Sequence, residues 1–222
     1  MHPLTKLNTF VFTVTTTIVY FIWKYLASMP VNNFFIELII TFVLSLSFYN
    51  LVFKCILLIC EHHRILRKLI LGETYLEGVW TGFYIYKNTI NFYYEICYQS
   101  MKNISIIGKS FARNDNYICS WTILEPRIDI DESKLLYCYE LIEEKSPNTL
   151  SMGYAKATIF RDKYKKAIRI EGFAVDSDDN ERQIFISEKA SDDPYKEINL
   201  TELLQMSQKI YKDNQINLNI YT

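Results

Sequence analysis

Over the first quarter of the chain the apolar positions have no clear period. Leu7 to Trp23 and Leu38 to Phe53 carry no charged residue, and Cys55 to Cys60 extends the second run beyond Lys54. In the first run Phe10, Val11, Phe12, Val14, Ile18, Val19, Tyr20, Phe21 and Ile22 point all round a helix axis, whereas a helix on a soluble core is apolar along one stripe. At a rise of about 1.5 Å per residue, such runs approach the roughly 30 Å thickness of bilayer hydrocarbon. The pattern predicts a hairpin of two transmembrane helices over residues 1–60, with spans at about 7–26 and 36–60. A signal peptide cleaved near Ala27 and Ser28 fits less well, because the apolar run is long and a second follows at once.

Residues 61–75 read as a juxtamembrane amphipathic helix continuing the second span. Ile65, Leu66, Leu69 and Ile70 share one side, Arg64, Arg67 and Lys68 the other, and Gly72 supplies a stop. Beyond it the period changes to two. Leu76 to Tyr86, Phe92 to Met101, Ile104 to Arg113, Tyr117 to Leu124, Leu135 to Ile142, Ser151 to Phe160, Ala167 to Val175 and Arg182 to Ser187 are rich in aromatic and β-branched residues. The breaks are turn-like: Lys87-Asn88, Asn114 to Asn116, Asp129 to Ser133, Ser146-Pro147-Asn148, and Asp176 to Asn180. The segment 76–190 is therefore expected to be all-β, an eight-stranded antiparallel up-and-down barrel whose closure removes exposed edges.

Glycines inside these strands (Gly82, Gly108, Gly153 and Gly172) are expected to mark bends or bulges. If carboxylates face water, Glu140 sends Tyr137, Tyr139 and Leu141 inward, and Glu95 sends Phe92, Tyr94, Ile96 and Tyr98 inward. The last segment, 191–222, predicts a C-terminal helix and tail. Leu200, Leu203, Leu204, Ser207, Ile210 and Tyr211 form its stripe, and Asn199 with Glu202 resembles a capping box.

The chain has 24 Lys plus Arg against 25 Asp plus Glu, and most of these lie beyond residue 60. So even a balance gives no broad basic face for long nucleic acid. Lys6 before the first run and Arg64, Arg67 and Lys68 after the second place both termini and the β region in the cytoplasm. The five cysteines form no C-x-x-C motif, which fits a reducing compartment and argues against a disulfide framework or a zinc site.

Motifs for catalysis are absent: no G-x-S-x-G, no P-loop, no H-E-x-x-H and no dinucleotide fingerprint, and all three histidines precede the β region. An enzyme is not expected. Asp176-x-Asp178-x-Asn180 lacks the glycine and distal glutamate of a helix-loop-helix calcium site, so no metal is assigned. The candidate ligand-binding residues are Tyr84, Tyr94, Tyr98, Trp121, Tyr137 and Tyr139 for stacking, and Lys109, Arg113 and Arg169 for phosphate.

The order of parts resembles the two-transmembrane β-barrel effectors of bacterial CBASS antiphage defence. The likeness rests on the two apolar runs, the basic collar, Leu76-Glu77-Gly78-Val79-Trp80-Thr81-Gly82-Phe83-Tyr84, Ile107-Gly108-Lys109-Ser110, Trp121, Leu136-Tyr137-Cys138-Tyr139 and Glu171-Gly172-Phe173-Ala174-Val175-Asp176. It implies a cytoplasmic barrel sensing a cyclic nucleotide, a cyclic dinucleotide or larger cyclic oligonucleotide made by a partner nucleotidyltransferase (a CD-NTase cyclase). It further implies homo-oligomerisation in the lipid bilayer, membrane disruption and death of the infected cell. Gly78-x-Trp80 also looks like the first strand of lipocalins, which implies a plug role for Trp80 with an arginine such as Arg182 covering it. The alternatives are a membrane-anchored, lipocalin-like binding protein or sensor for an apolar small molecule, and a tethered scaffold.

Overall fold

The computed structural model describes residues 3–26, 34–178, 181–197 and 199–218. The chain divides into two compact units, Met1–Gly72 and Glu73–Thr222.

The first unit holds α1 (Pro3–Leu26), α2 (Phe34–His62) and α3 (Arg64–Leu71). In α1, Leu7, Val11 and Thr15 are buried at one residue per turn, while Phe10, Phe12, Phe21 and Tyr25 are exposed. The hydroxyls of Thr9, Thr13 and Thr17 each donate to the carbonyl four residues back at 2.9 Å, so they are satisfied within the helix.

No described helix is long and apolar enough to cross a membrane, which overturns the expected pair of transmembrane spans. The runs are free of charge, but Thr13, Thr15, Thr16, Thr17 and Asn50 lie within them, and lack of charge is a weaker property than apolarity. The segment 27–33, with Ala27 and Ser28, lies outside the described residues, as does Asn180. A second correction concerns residues 61–75. The chain leaves the helical region at His63, and α3 is a separate short helix ended by Gly72 (φ 54°), whose N–H donates to the Lys68 carbonyl. Arg67 is buried, its guanidinium donating to the Glu61 carbonyl at 2.8 Å, and Ile65 and Leu69 are exposed.

The second unit is a closed up-and-down barrel of β1 (Gly78–Tyr86), β2 (Thr89–Gln99), β3 (Ile104–Phe111), β4 (Tyr117–Asp129), β5 (Lys134–Glu143), β6 (Ser146–Arg161), β7 (Ala167–Asp176) and β8 (Arg182–Ser191), followed by α4 (Leu200–Leu218). All neighbours are antiparallel, and β8 returns to β1 with Phe83 opposite Ile186. The eight alternating segments of the sequence are these eight strands in order. At the first hairpin Lys87 and Asn88 both have positive φ (48° and 62°), the mirror-type turn that suits a two-residue loop. Ser146, Pro147 and Asn148 lie within β6, so the fifth hairpin turns at Glu144-Lys145 instead of at the proline.

The β1–β2, β3–β4, β5–β6 and β7–β8 turns gather at one end of the barrel. The other end is closed by Trp80, only 2% exposed, whose Nε1 donates to the Leu76 carbonyl at 2.9 Å. The cation over its ring is Lys189, at 5.0 Å, and not Arg182. Arg182 begins β8 at the opposite end, 3.9 Å above the Phe173 ring.

Helix α4 covers β1, β2 and β8 from outside. Phe83, Phe92, Phe111 and Ile186 on the barrel wall meet Leu204 and Ile210 there. Under the helix, the hydroxyls of Thr81 and Ser207 lie 2.5 Å apart, and Thr81 reaches the Tyr93 and Leu203 carbonyls at 3.1 Å. The Asn199 side chain accepts from the Glu202 N–H at 3.4 Å, one half of the expected cap.

Trp80→Ala removes a side chain sealed on every side, so unfolding free energy should fall by about 3–5 kcal/mol. Urea titration followed by far-UV circular dichroism checks this.

Candidate functional site

Inside the barrel the two walls differ in bulk. On β1, β2, β4 and β5 the inward positions hold Tyr84, Tyr93, Trp121, Tyr137 and Tyr139, whereas β6 and β7 present Gly153, Ala155, Ala157 and Ala174. Large rings facing small residues leave a cavity toward the end where the odd-numbered strands turn. Its lining includes the five rings just named with Glu95, Cys119, Leu141, Ala174, Gln183 and Phe185. Counted to its open mouth the space is about 490 Å³, and the part open to the centre of a water molecule is about 60 Å³. A water needs roughly 10–15 Å³ by that second measure, so the interior takes a few waters or one small ring, and the rest of a larger ligand would stay outside.

Two glycines seat the rings. A Cβ on Gly108 would lie 2.0 Å from the Trp121 indole, and one on Gly153 would lie 2.3 Å from the Tyr139 ring. Their purpose is room for aromatics; the irregular steps in the pairing fall elsewhere, as between Ser110 and Phe111 or Phe160 and Arg161. This corrects the expectation of bends at these two glycines. With its indole flat over Gly108, Trp121 donates Nε1–H to Glu95 Oε1 at 2.9 Å.

Glu95 is 9% exposed, and burial raises its carboxyl to about 7, with the Trp121 hydrogen bond pulling the other way. Nearer the mouth, the Tyr139 hydroxyl and the Gln183 amide both donate to Asp176. The Tyr84 hydroxyl lies 2.9 Å from that of Ser110. Burial, above all, lifts the phenols of Tyr84, Tyr93, Tyr137 and Tyr139 above the usual range, so they remain neutral hydrogen-bonding groups. Cys119 is pushed up to about 12 by burial and stays an unreactive thiol. No lysine or arginine is among the lining residues.

Of the residues singled out from sequence, Tyr84, Trp121, Tyr137 and Tyr139 come together on this cavity. Five do not. Tyr94 faces outward and stacks on Phe111, with ring centroids 6.0 Å apart, and Tyr98 meets Tyr195 at 5.4 Å. Lys109 is exposed on the outer face of β3. Arg113 is exposed in the β3–β4 turn at the mouth. Arg169 pairs with Glu171 and Glu188 and donates to Asn214 of α4 at 2.6 Å, so it ties helix to barrel.

The β2 assignment inverts for a physical reason. Its outer face is covered by α4, so Phe92 and Tyr93, on opposite faces, are both buried. A carboxylate could then not mark the wet side, and Glu95 points in. Reasoning from sequence therefore missed Tyr93, Glu95, Gln183 and Phe185; the spacing of Glu95 from Tyr93 and Cys97 carried the signal, read with the wrong sign.

Two outcomes follow. The folded state holds Glu95 neutral up to about pH 7, against an ordinary value of 4.5, so unfolding releases a proton between those values. Stability should be highest at or below about pH 4.5 for this group's part, fall as pH rises toward 7, and lose roughly 3 kcal/mol at most relative to Glu95→Gln. Denaturation of both proteins across that range measures the difference. Gly108→Ala should displace the indole, cost about 1–3 kcal/mol and change the near-UV circular dichroism of Trp121.

No family model matches the chain, and no curated protein matches it. Among solved structures, a de novo designed fluorescence-activating β-barrel is similar over 53% of this chain and 96% of that one, at 12% identity and a TM-score of 0.34. The barrel assignment stands on the strand pairing above.

Proposed function

We propose that the barrel is a cytoplasmic sensor that admits one planar ring of a small, base-bearing ligand through its mouth, and that the ligand is a cyclic nucleotide. The observation that carries this reading is the open aromatic cavity lined by the Glu95 carboxyl, which Trp121 already aligns. Each base stacked on an aromatic ring gains about 1–3 kcal/mol, and a buried polar group aimed at the ring edge supplies orientation. The phosphates would remain outside, where Arg113 and Lys145 stand on the mouth turns and Arg182 at the start of β8, among Asp115, Glu144 and Glu181. A purely apolar occupant would leave the Glu95 carboxyl without a ligand partner, which disfavours a lipid carrier.

The cyclic nucleotide class rests on the resemblance to CBASS effectors, with a nucleotidyltransferase as its source, and the free cysteines fit a reducing cytoplasm. Ligand-driven self-association belongs to the same proposal, supported by the exposed Ile65 and Leu69 of α3. One second reading has an observation behind it: rings and a carboxyl with no lining cation also suit a planar organic cation.

Isothermal titration with a panel of cyclic dinucleotides and cyclic trinucleotides should give saturable binding. Trp121→Ala and Tyr137→Ala should each weaken it roughly 5- to 100-fold. Arg169→Ala and Lys109→Ala should leave affinity unchanged, since neither side chain reaches the cavity. Light scattering on the same samples should report a rise in mass with ligand. Saturable binding of a planar cationic dye with none of any cyclic nucleotide would transfer the case to the second reading.

A further inference from the structure

We propose that Glu95 sets the ligand specificity of the barrel, selecting a ring whose edge carries adjacent N–H donors, as guanine does, over one that presents an acceptor there, as adenine does. This rests on the reading that a base enters the mouth.

Glu95 comes from the middle of β2, opposite Gly108 of β3, and Gly108 in turn lies opposite Trp121 of β4. Trp121 takes one position on Oε1, and an ionised carboxylate has about four such positions across its two oxygens. A second carboxyl on the inner wall, Asp176, already accepts from Tyr139 and Gln183. Glu95 therefore supplies acceptor capacity deep in a cavity that lacks any cationic donor. A ring edge with two donors meets it directly. A ring with an acceptor at that edge opposes lone pairs unless the carboxyl first takes up a proton.

Several groups face or neighbour this carboxyl: Tyr84 of β1, Tyr93 and Cys97 of β2, Trp121 and Cys119 of β4, Tyr137 and Tyr139 of β5, and Asp176 of β7. Lys189 of β8 lies toward the closed end, over Trp80 and Tyr75. Burial raises the Glu95 carboxyl and, among the described residues, the Trp121 N–H pulls it back, so its protonation answers to donors that a ligand brings. Donors stabilise the ionised form. A guanine-type ligand should accordingly bind more tightly as pH rises through about 7, by up to roughly tenfold per pH unit below that point, and an adenine-type ligand should show the opposite slope.

The test is titration calorimetry of the full chain with 3′,3′-cyclic di-GMP and 3′,3′-cyclic di-AMP at about pH 6 and pH 8, repeated with Glu95→Gln. The expected result is a preference for cyclic di-GMP of about tenfold or more at the higher pH. That preference should be lost or reversed in Glu95→Gln, together with the pH dependence. Equal affinities for the two ligands, or a preference that survives in the variant, would overturn the specificity role while leaving the base-binding reading in place. Absence of binding by either ligand at both pH values overturns both. If Glu95→Gln does not fold, the sign of the wild-type pH slope decides alone, because a role limited to structure gives the two ligands the same slope.

Discussion

Return of β8 to β1 is the constraint on which the rest depends. With Phe83 opposite Ile186 and Gly82 opposite Ser187, the ladder has no free edge, and the inward or outward facing of every strand is settled at once. A one-residue slip anywhere would exchange the two faces of a strand, bringing Tyr84 out and Phe83 in. Closure also fixes what the interior must accommodate. Five rings on one wall oppose glycine and alanine on the other, and the cavity is the volume those small residues leave unfilled.

The two ends of the barrel divide the work. Trp80, its hydrogen bond to Leu76 and the Lys189 ammonium above it make a sealed base that contributes stability. The other end stays open, and there the polar groups are paired with one another: Glu95 with Trp121, Asp176 with Tyr139 and Gln183, Tyr84 with Ser110. Preformed pairs of this kind hold side chains in place before any ligand arrives and lower the ordering cost of binding.

Helix α4 explains why a barrel this small reads ambiguously. It gives β1, β2 and β8 a second buried face, with Thr81 and Ser207 satisfying each other beneath it and Arg169 holding Asn214. On β5, with no helix outside, Glu140 does mark the outer side and Tyr137, Tyr139 and Leu141 do line the interior. The same rule applied to β2 gives the wrong face, because there both sides are dry.

By itself the sequence determined the count and order of the strands, most of the turns between them, the stop at Gly72 and the C-terminal helical stripe. These depend on neighbours along the chain, on period and on turn chemistry. It also identified Tyr84, Trp121, Tyr137 and Tyr139 as rings with a polar handle. What only the tertiary structure decided was which face of β2 is inside, that Gly108 and Gly153 make room for rings from other strands, and that Arg169 belongs to the helix contact. Each of these is set by residues far away in sequence, where a side chain's partner, and not its own type, fixes whether burial is tolerated.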